Sequence, residues 1–316
     1  MVFCIEEIMM TIFKERFTAY AKINLFLGVC GKRQDGYHLL STLMQSVSLC
    51  DYVTVECSDS AIVDKLEPGI SLMTNVEYIP LDARNTAYKA ARAFLNTLGR
   101  QNVSVRIHIQ KGIPTQAGMG GGSADAAAVL NALASIFPGA ASKGDLLAMA
   151  VRIGADVPFC IDGGTQLCEG IGDILTPVLP LQGLPLLFIK PKCSIPTPWA
   201  FTVYDSLPDA GPFSPEREEA IKGLLYPSEG TDSLDRIKKA APYLYNDLER
   251  VTENEYPVLS EIRAFMMEQG AAAARMSGSG STVFGIFADK KTRDAALENA
   301  FMYRRQGCFV QAGEMI

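Results

Sequence analysis

Between Pro114 and Ala128 the chain reads Pro-Thr-Gln-Ala-Gly-Met-Gly-Gly-Gly-Ser-Ala-Asp-Ala-Ala-Ala, with four glycines among the five residues Gly118 to Gly122. Glycine lacks a Cβ, so such a run lets backbone come close to a ligand or adopt conformations closed to other residues. The residues beyond it cannot be loop. Ala126, Val129, Leu130, Leu133 and Ile136 recur at helical spacing, and Ser123 is a favoured N-cap type, which predicts a helix opening at Ser123. A glycine-rich turn delivering a helix N-terminus presents unpaired amides and the positive end of the helix dipole, and phosphate is the natural guest. By itself the pattern also fits a turn that merely caps a core helix.

Two other phosphate loops are excluded. A P-loop needs Gly-x-x-x-x-Gly-Lys followed by Ser or Thr, whereas Gly31-Lys32 is followed by Arg33. A dinucleotide fold needs a strand running almost directly into its first glycine and an acid about 20 residues beyond. Here the predicted strand Val103–Ile109 is separated from Gly118 by Gln110 to Ala117, and the first acid after the helix, Asp145, opens another helical run.

Taken in order, the odd positions Phe17, Ala19, Ala21, Ile23, Leu25 and Leu27 are apolar, while Tyr20, Lys22 and Asn24 share the other face of a predicted strand. Lys22 and Asn24 therefore project side by side, about 6 to 7 Å apart. A lysine on such a strand fits a solvated edge as well as it fits a site. Gly31 to Leu40 reads as a turn containing Asp35-Gly36-Tyr37-His38 and leading into an apolar segment. Asp51–Glu56 reads as a strand and Asn85–Leu98 as a helix, with Ala87, Ala90, Ala91, Phe94, Leu95 and Leu98 on one face and Asn85 a candidate cap. Leu146 to Val151 marks a further helix closed by Gly154, and Asp156, two residues before Pro158, fits an ordinary helix cap. Glycine and turn residues from Gly163 to Gly172 suggest a boundary near Gly172, giving domains 1–172 and 173–316. A strand over Leu184–Lys190, a helix opening at Ile195–Phe201, helices near Tyr243–Val251 and Tyr256–Gln269, and a small-residue turn within Ala274–Gly285 complete the second half. Strands and helices mix without regular β-α alternation, so the expected class is α+β.

Composition narrows the function. With 316 residues, 48% of them hydrophobic, the chain can fill two cores, since a domain holds roughly 100 to 200 residues. No apolar run approaches the ~18 residues of a spanning helix. A net charge of −6 argues against a general nucleic-acid or membrane surface, so an anionic substrate must be met by local cations and amides. Eight cysteines without a Cys-x-x-Cys pair, and only two histidines, read as buried reduced thiols in a cytoplasmic protein rather than as a metal site. Met1–Lys14 carries Glu6 and Glu7 where a secretory signal carries cations, and reads as an extension.

The stretch Pro114 to Ala128 resembles the second motif of the GHMP kinases, the small-metabolite kinases named after galactokinase, homoserine kinase, mevalonate kinase and phosphomevalonate kinase. Ala21-Lys-Ile-Asn-Leu25 is similar to their first motif, and Ala274-Arg-Met-Ser-Gly-Ser-Gly-Ser-Thr-Val-Phe-Gly285 to their third. The resemblance spans nearly the whole chain from Arg16. It implies a two-domain α+β fold with the active site in the cleft between domains, ATP and Mg²⁺ as cofactors, and a small-molecule acceptor with no obligate protein partner. Lys22 and Asp156 would be catalytic, Asp156 accepting or orienting the hydroxyl proton while Lys22 keeps it ionised. Pro114, Gly118, Met119, Gly120, Gly121, Gly122 and Ser123 would hold the nucleotide phosphates, Asn85 would flank adenine, and Ser123 would be a Mg²⁺ ligand.

Asp35-Gly-Tyr-His38 is similar to one branch only, whose substrate is 4-diphosphocytidyl-2-C-methyl-D-erythritol, phosphorylated on its 2-hydroxyl on the way to isoprenoid precursors. That likeness makes Tyr37 and Phe201 a sandwich for cytosine, His38 the reader of its edge, and Asn24, Thr197, Ser277, Gly278 and Ser279 further substrate contacts. Trp199 reads as packing. Met119 replaces the family's usual Leu, and Asp173 stands where many relatives have Glu; neither departure touches the proposed chemistry. A homoserine or mevalonate kinase is the nearest rival, and the Asp-Gly-Tyr-His stretch argues against it. A catalytically dead binding protein would be expected to lose Lys22 or Asp156, and both are present.

Overall fold

The computed structural model describes residues 12–59, 69–99, 103–207 and 215–316. Most of the expected extension Met1–Lys14 lies outside them, but Ile12 to Lys14 already belong to a strand. The first elements are β1 (Ile12–Lys32), β2 (His38–Asp59), β3 (Ile70–Thr74), α1 (Thr86–Leu98), β4 (Val103–Gln110), α2 (Gly121–Ile136), α3 (Lys143–Ile153) and α4 (Val157–Asp162). Next come β5 (Thr165–Glu169), β6 (Ile174–Pro177), β7 (Pro185–Lys190), α5 (Thr197–Asp205), α6 (Pro215–Leu225) and α7 (Ser233–Ala240). Beyond a 3₁₀ turn at Ala241–Tyr243 lie α8 (Glu249–Glu255), α9 (Val258–Glu268), β8 (Ala273–Met276), β9 (Val283–Ile286), α10 (Lys290–Asn299), α11 (Phe301–Arg305) and β10 (Phe309–Glu314). The class is α+β.

Two compact units divide the chain, and they interleave along the sequence. The first takes residues up to Ala19, Asp51–Gly112 and Gly122–Ile161; the second takes Tyr20–Cys50, Ile113–Gly121 and Asp162–Ile316. The long strands β1 and β2 each contribute to both.

In the first unit the end of β2 pairs antiparallel with β4, and β3 pairs parallel with β4 through Ile70↔Val105 to Thr74↔Ile109. β4 buries Val103, Val105, Ile107 and Ile109 in strict alternation, as a strand with one covered face must. α1 is capped by Asn85, whose Oδ1 accepts from Ala87 N at 2.9 Å, and ends at Gly99 in the left-handed conformation, φ 62°. α3 opens on a capping box between Ser142 and Asp145. α2 is buried along Ala124–Leu130, its alanines letting neighbours approach closely.

In the second unit Thr42–Gln45 of β2 pairs with β5, and β5 with β6. A separate antiparallel sheet runs β10-β7-β9-β8. Its central strand β7 is buried on both faces from Pro185 to Ile189. Leu187, Ile189 and Val283 of this sheet share a core with Leu259, Ile262 and Met266 of α9. The helix expected over Tyr243–Val251 is not formed there. Leu27 N donates to Tyr245 O and Asp247 N donates to Leu27 O, both at 2.9 Å, so this stretch gives its backbone bonds to β1 and turns helical only at Glu249. Among the described residues no helix is long and apolar enough to cross a membrane.

Candidate active site

Lys22 and Asn24, two residues apart on β1, point the same way and are 4% and 2% exposed. A solvated edge is therefore the wrong account of Lys22. Its Nζ donates to Asn24 Oδ1 at 2.7 Å; Asn24 Nδ2 donates to Thr42 Oγ1 at 2.8 Å, and Thr42 donates to Phe26 O at 2.6 Å. This chain of bonds fixes which way the Asn24 amide faces and holds the lysine extended along the strand.

The glycine loop lies against that strand. Lys22 N donates to Met119 O at 3.0 Å. Gly120 adopts φ +67°, and a Cβ there would come within 3.0 Å of Lys22 Cγ, so the lysine stem occupies the space a side chain would need. Gly118 adopts φ +71° beside the turn between β8 and β9, where Ser277 Oγ donates to Gly118 O at 2.8 Å. Asn24 N donates to Ser277 Oγ at 3.3 Å, and Thr282 N to Ala117 O at 3.2 Å. The structure thus brings together Lys22, Asn24, the loop from Ala117 to Gly120, and Ser277, three segments far apart in sequence. Gly278 joins through Asn246, whose Nδ2 donates to Met276 O at 2.9 Å and to Gly278 O at 2.8 Å. Ser279 Oγ lies 2.8 Å from Thr197 Oγ1, linking the same turn to the start of α5.

Asn246 was not among the expected residues, nor was Glu249, which accepts from Met276 N at 2.6 Å. Burial pushes the Glu249 carboxyl up to about 7 despite the opposing charge of Arg275. An asparagine followed three residues later by a buried acid carries no motif, so neither stood out in the sequence.

Asn85, Gly122, Ser123 and Asp156 belong to the first unit. α2 begins at Gly121, two residues earlier than expected, so Ser123 is not its N-cap but lies in its first turn, half-buried. That start leaves the amides of Gly121, Gly122 and Ser123 without an i−4 partner inside the helix, an arrangement an anion can use. Thr86 Oγ1 donates to Gly122 O at 2.6 Å, and a Cβ on Gly122 would meet that hydroxyl at 3.2 Å. Asn85 is the cap of α1, with Nδ2 also donating to Pro80 O at 2.9 Å. Asp156 is half-buried in the turn between α3 and α4, and its carbonyl accepts from Cys160 N at 3.2 Å.

One turn into α2 stands a buried ionic cluster around Asp125, an acid inside the glycine motif to which the sequence assigned no role. Lys111 Nζ donates to Asp125 Oδ2 at 2.7 Å and also to Asp51, which accepts from Gly112 N at 2.6 Å. Burial pushes the Asp125 carboxyl up to about 7, Lys111 pulling against it and Asp51 adding to the rise. An acid inside Ala-Asp-Ala-Ala-Ala was the available signal.

Tyr37 is 61% exposed, and Phe201 stacks on His38, ring centroids 4.5 Å apart and planes inclined by 17°. Trp199 packs edge-on against Tyr256, as its reading as a packing residue expects. Of the cysteines, Cys57 and Cys168 are buried, but Cys30 is exposed, against the reading of buried thiols throughout.

The model of the GHMP kinases N terminal domain matches residues 85–164, and that of the GHMP kinases C terminal matches 231–303. A 4-diphosphocytidyl-2-C-methyl-D-erythritol kinase of Clostridium perfringens is 41% identical over 284 residues, covering 90% of this chain and 92% of the relative. A relative of the same name from Clostridium botulinum is 41% identical, covering 89% and 94%. The crystal structure of a 4-(cytidine 5'-diphospho)-2C-methyl-D-erythritol kinase superposes with a TM-score of 0.75 at 34% identity, covering 95% of this chain and 99% of the other. A homoserine kinase from Cytophaga hutchinsonii, 21% identical, shares the fold with a TM-score of 0.71 over 98% of this chain and 95% of its own. The chain belongs to the GHMP kinase family, among the 4-diphosphocytidyl-2-C-methyl-D-erythritol kinases.

Proposed function

We propose that this kinase transfers the γ-phosphoryl group of ATP to the 2-hydroxyl of 4-diphosphocytidyl-2-C-methyl-D-erythritol, giving the 2-phosphate in the non-mevalonate route to isoprenoid precursors. The observation that carries the reading is the 41% identity to curated kinases of that substrate over 90% of the chain. The buried Lys22–Asn24 pair against the glycine loop supports it.

In the reaction the bond from the γ-phosphorus to the β–γ bridging oxygen breaks, a bond to the substrate oxygen forms, and the hydroxyl proton must leave. Such transfers need positioning and charge stabilisation more than covalent help. Asp156 takes or orients the proton. Lys22, held extended by Asn24, steadies the negative charge developing on the acceptor oxygen. Amides from Gly118 to Ser123 hold the phosphates, with Pro114 and Met119 shaping the loop and Asn85 beside the nucleotide base. Asn24, Thr197, Ser277, Gly278 and Ser279 position the polyol, and Tyr37, His38 and Phe201 take the cytosine.

Among the described residues no group of three or more His, Cys, Asp or Glu side chains forms a metal cage. A lone hydroxyl in the first turn of α2 fits Mg²⁺, which keeps most of its ligands as phosphate oxygens and water. Ser123 would hold the ion, which neutralises charge on the phosphates when bound. The family models lie on either side of residue 172, in keeping with domains 1–172 and 173–316. A cytoplasmic setting suits a chain whose described cysteines are free thiols.

A coupled assay with ATP and Mg²⁺ offering the diphosphocytidyl polyol, homoserine and mevalonate tests the reading. Turnover of the first alone is expected. Preference for either other acceptor would overturn it.

A further inference from the structure

The turn that carries Tyr37 and His38 is short and closed on itself. Arg33 N donates to Tyr37 O at 2.7 Å, Gly36 N to Arg33 O at 3.0 Å, and Tyr37 N to Asp35 Oδ1 at 3.3 Å. Those bonds set the shape of the turn but not its placement. Phe201 and Asp205 lie four residues apart on α5, and therefore on one face of it. That face meets the turn twice: Phe201 stacks on the His38 ring, and Asp205 Oδ1 lies 2.7 Å from His38 Nε2. The other carboxylate oxygen, Oδ2, accepts from Lys32 Nζ at 2.5 Å, where the turn leaves β1. One carboxylate thus grips both ends of the turn.

We propose that Asp205 is a positioning residue for base recognition, fixing the turn that bears Tyr37 and His38 to the helix face that bears Phe201. The three residues assigned to the cytosine come from two segments more than 160 residues apart in sequence, and a slot for a flat base requires their spacing to be set before the base arrives. Hydrogen bonds from His38 and then Lys32 hold the Asp205 carboxyl below the usual carboxylate range, so it acts as an acceptor only. An accepting carboxylate places a proton on His38 Nε2, which fixes the tautomer of a neutral ring. The two contacts are not equal. The His38 side chain is 10% exposed and the Lys32 side chain 48%, so water screens the lysine contact more and the histidine contact carries most of the effect.

The inference rests on the proposed substrate, and the test separates the two. Steady-state kinetics on the full chain would compare the parent with Asp205→Ala and Lys32→Met. Asp205→Ala is expected to raise KM for the diphosphocytidyl polyol about tenfold, the worth of one hydrogen bond at its stronger end, with kcat and the KM for ATP within about twofold. Lys32→Met should raise it by less than about threefold. Nitrogen-15 NMR of the two histidines should show His38 with its proton on Nε2 in the parent and a tautomer mixture in Asp205→Ala, with His108 unchanged. A parent that does not use the cytidine substrate defeats the proposed function. A parent that uses it, beside an Asp205→Ala variant with unaltered KM or unaltered His38 signals, defeats this inference. So does a Lys32→Met variant as impaired as Asp205→Ala, because the turn would then be held by the outer ion pair.

Discussion

Gly118 makes the contact between the glycine loop and the β8–β9 turn a quantity that can be measured. A Cβ at Gly118 would stand 1.9 Å from the Ser277 carbonyl oxygen and 2.9 Å from its carbon, both backbone atoms that no side-chain rotation can move aside. The residue also sits at φ +71°, where an L side chain costs about 1–2 kcal/mol. Gly183 supplies the control, since it adopts φ +73° with nothing within 4 Å of its ideal Cβ. Gly118→Ala and Gly183→Ala therefore share the backbone strain, and the difference between them isolates the clash. To reach an ordinary contact the loop must retreat by roughly 1 Å or more, and overpacking of that kind costs about 1–3 kcal/mol. At about 2–4 °C per kcal/mol, Gly118→Ala should melt roughly 2–12 °C below Gly183→Ala in a differential scan. The retreat also opens the bond from Ser277 Oγ to Gly118 O, so calorimetry should find weaker ATP binding in Gly118→Ala and parent affinity in Gly183→Ala. Equal melting temperatures together with equal ATP affinity would refute the argument.

Two other perturbations test the chemistry and the buried charge. Lys22→Met and Asp156→Asn should each lower kcat by a factor of about 10² to 10⁴ while ATP binding changes little, and near-parent turnover in both would remove them from the reacting centre. Asp125, with its carboxyl pushed up to about 7 by burial, keeps in the folded chain a proton that the unfolded chain loses near its ordinary value of about 4. Its contribution to stability therefore falls as pH rises from about 4 to about 7 and adds no slope above that. Urea unfolding of Asp125→Asn should show a flatter pH dependence in that window than the parent, and an identical slope would show that Asp125 does not titrate there.

Where one side chain in two faced the core, the sequence was easy to read. β4 alternates strictly, α1 carries a single apolar face behind an asparagine cap, and both appear within a residue or two of their expected bounds. Periodicity failed where both faces are covered. From Thr42 to Val47 every residue of β2 is buried, including Thr42, Gln45 and Ser46, so the strand shows no alternation and only its end near Asp51–Glu56 was legible. Those polar residues are tolerated because each is bonded: Gln45 Oε1 accepts from Thr165 Oγ1 at 2.6 Å, and Gln45 Nε2 donates to Ile316 O at 2.8 Å. Both partners are more than a hundred residues away, beyond any local pattern.

The site divides along the same line. Its glycines could be found because a missing side chain is a local fact, and Gly118 and Gly120 do sit at positive φ against Ser277 and Lys22. The residues that hold the neighbouring turns in place were invisible, because Asn246, Glu249 and Asp205 act through one or two long-range hydrogen bonds that any asparagine or acid can make. A glycine turn is thus legible from its own few residues. The supports that fix where it stands come from segments more than a hundred residues away, and only coordinates connect them.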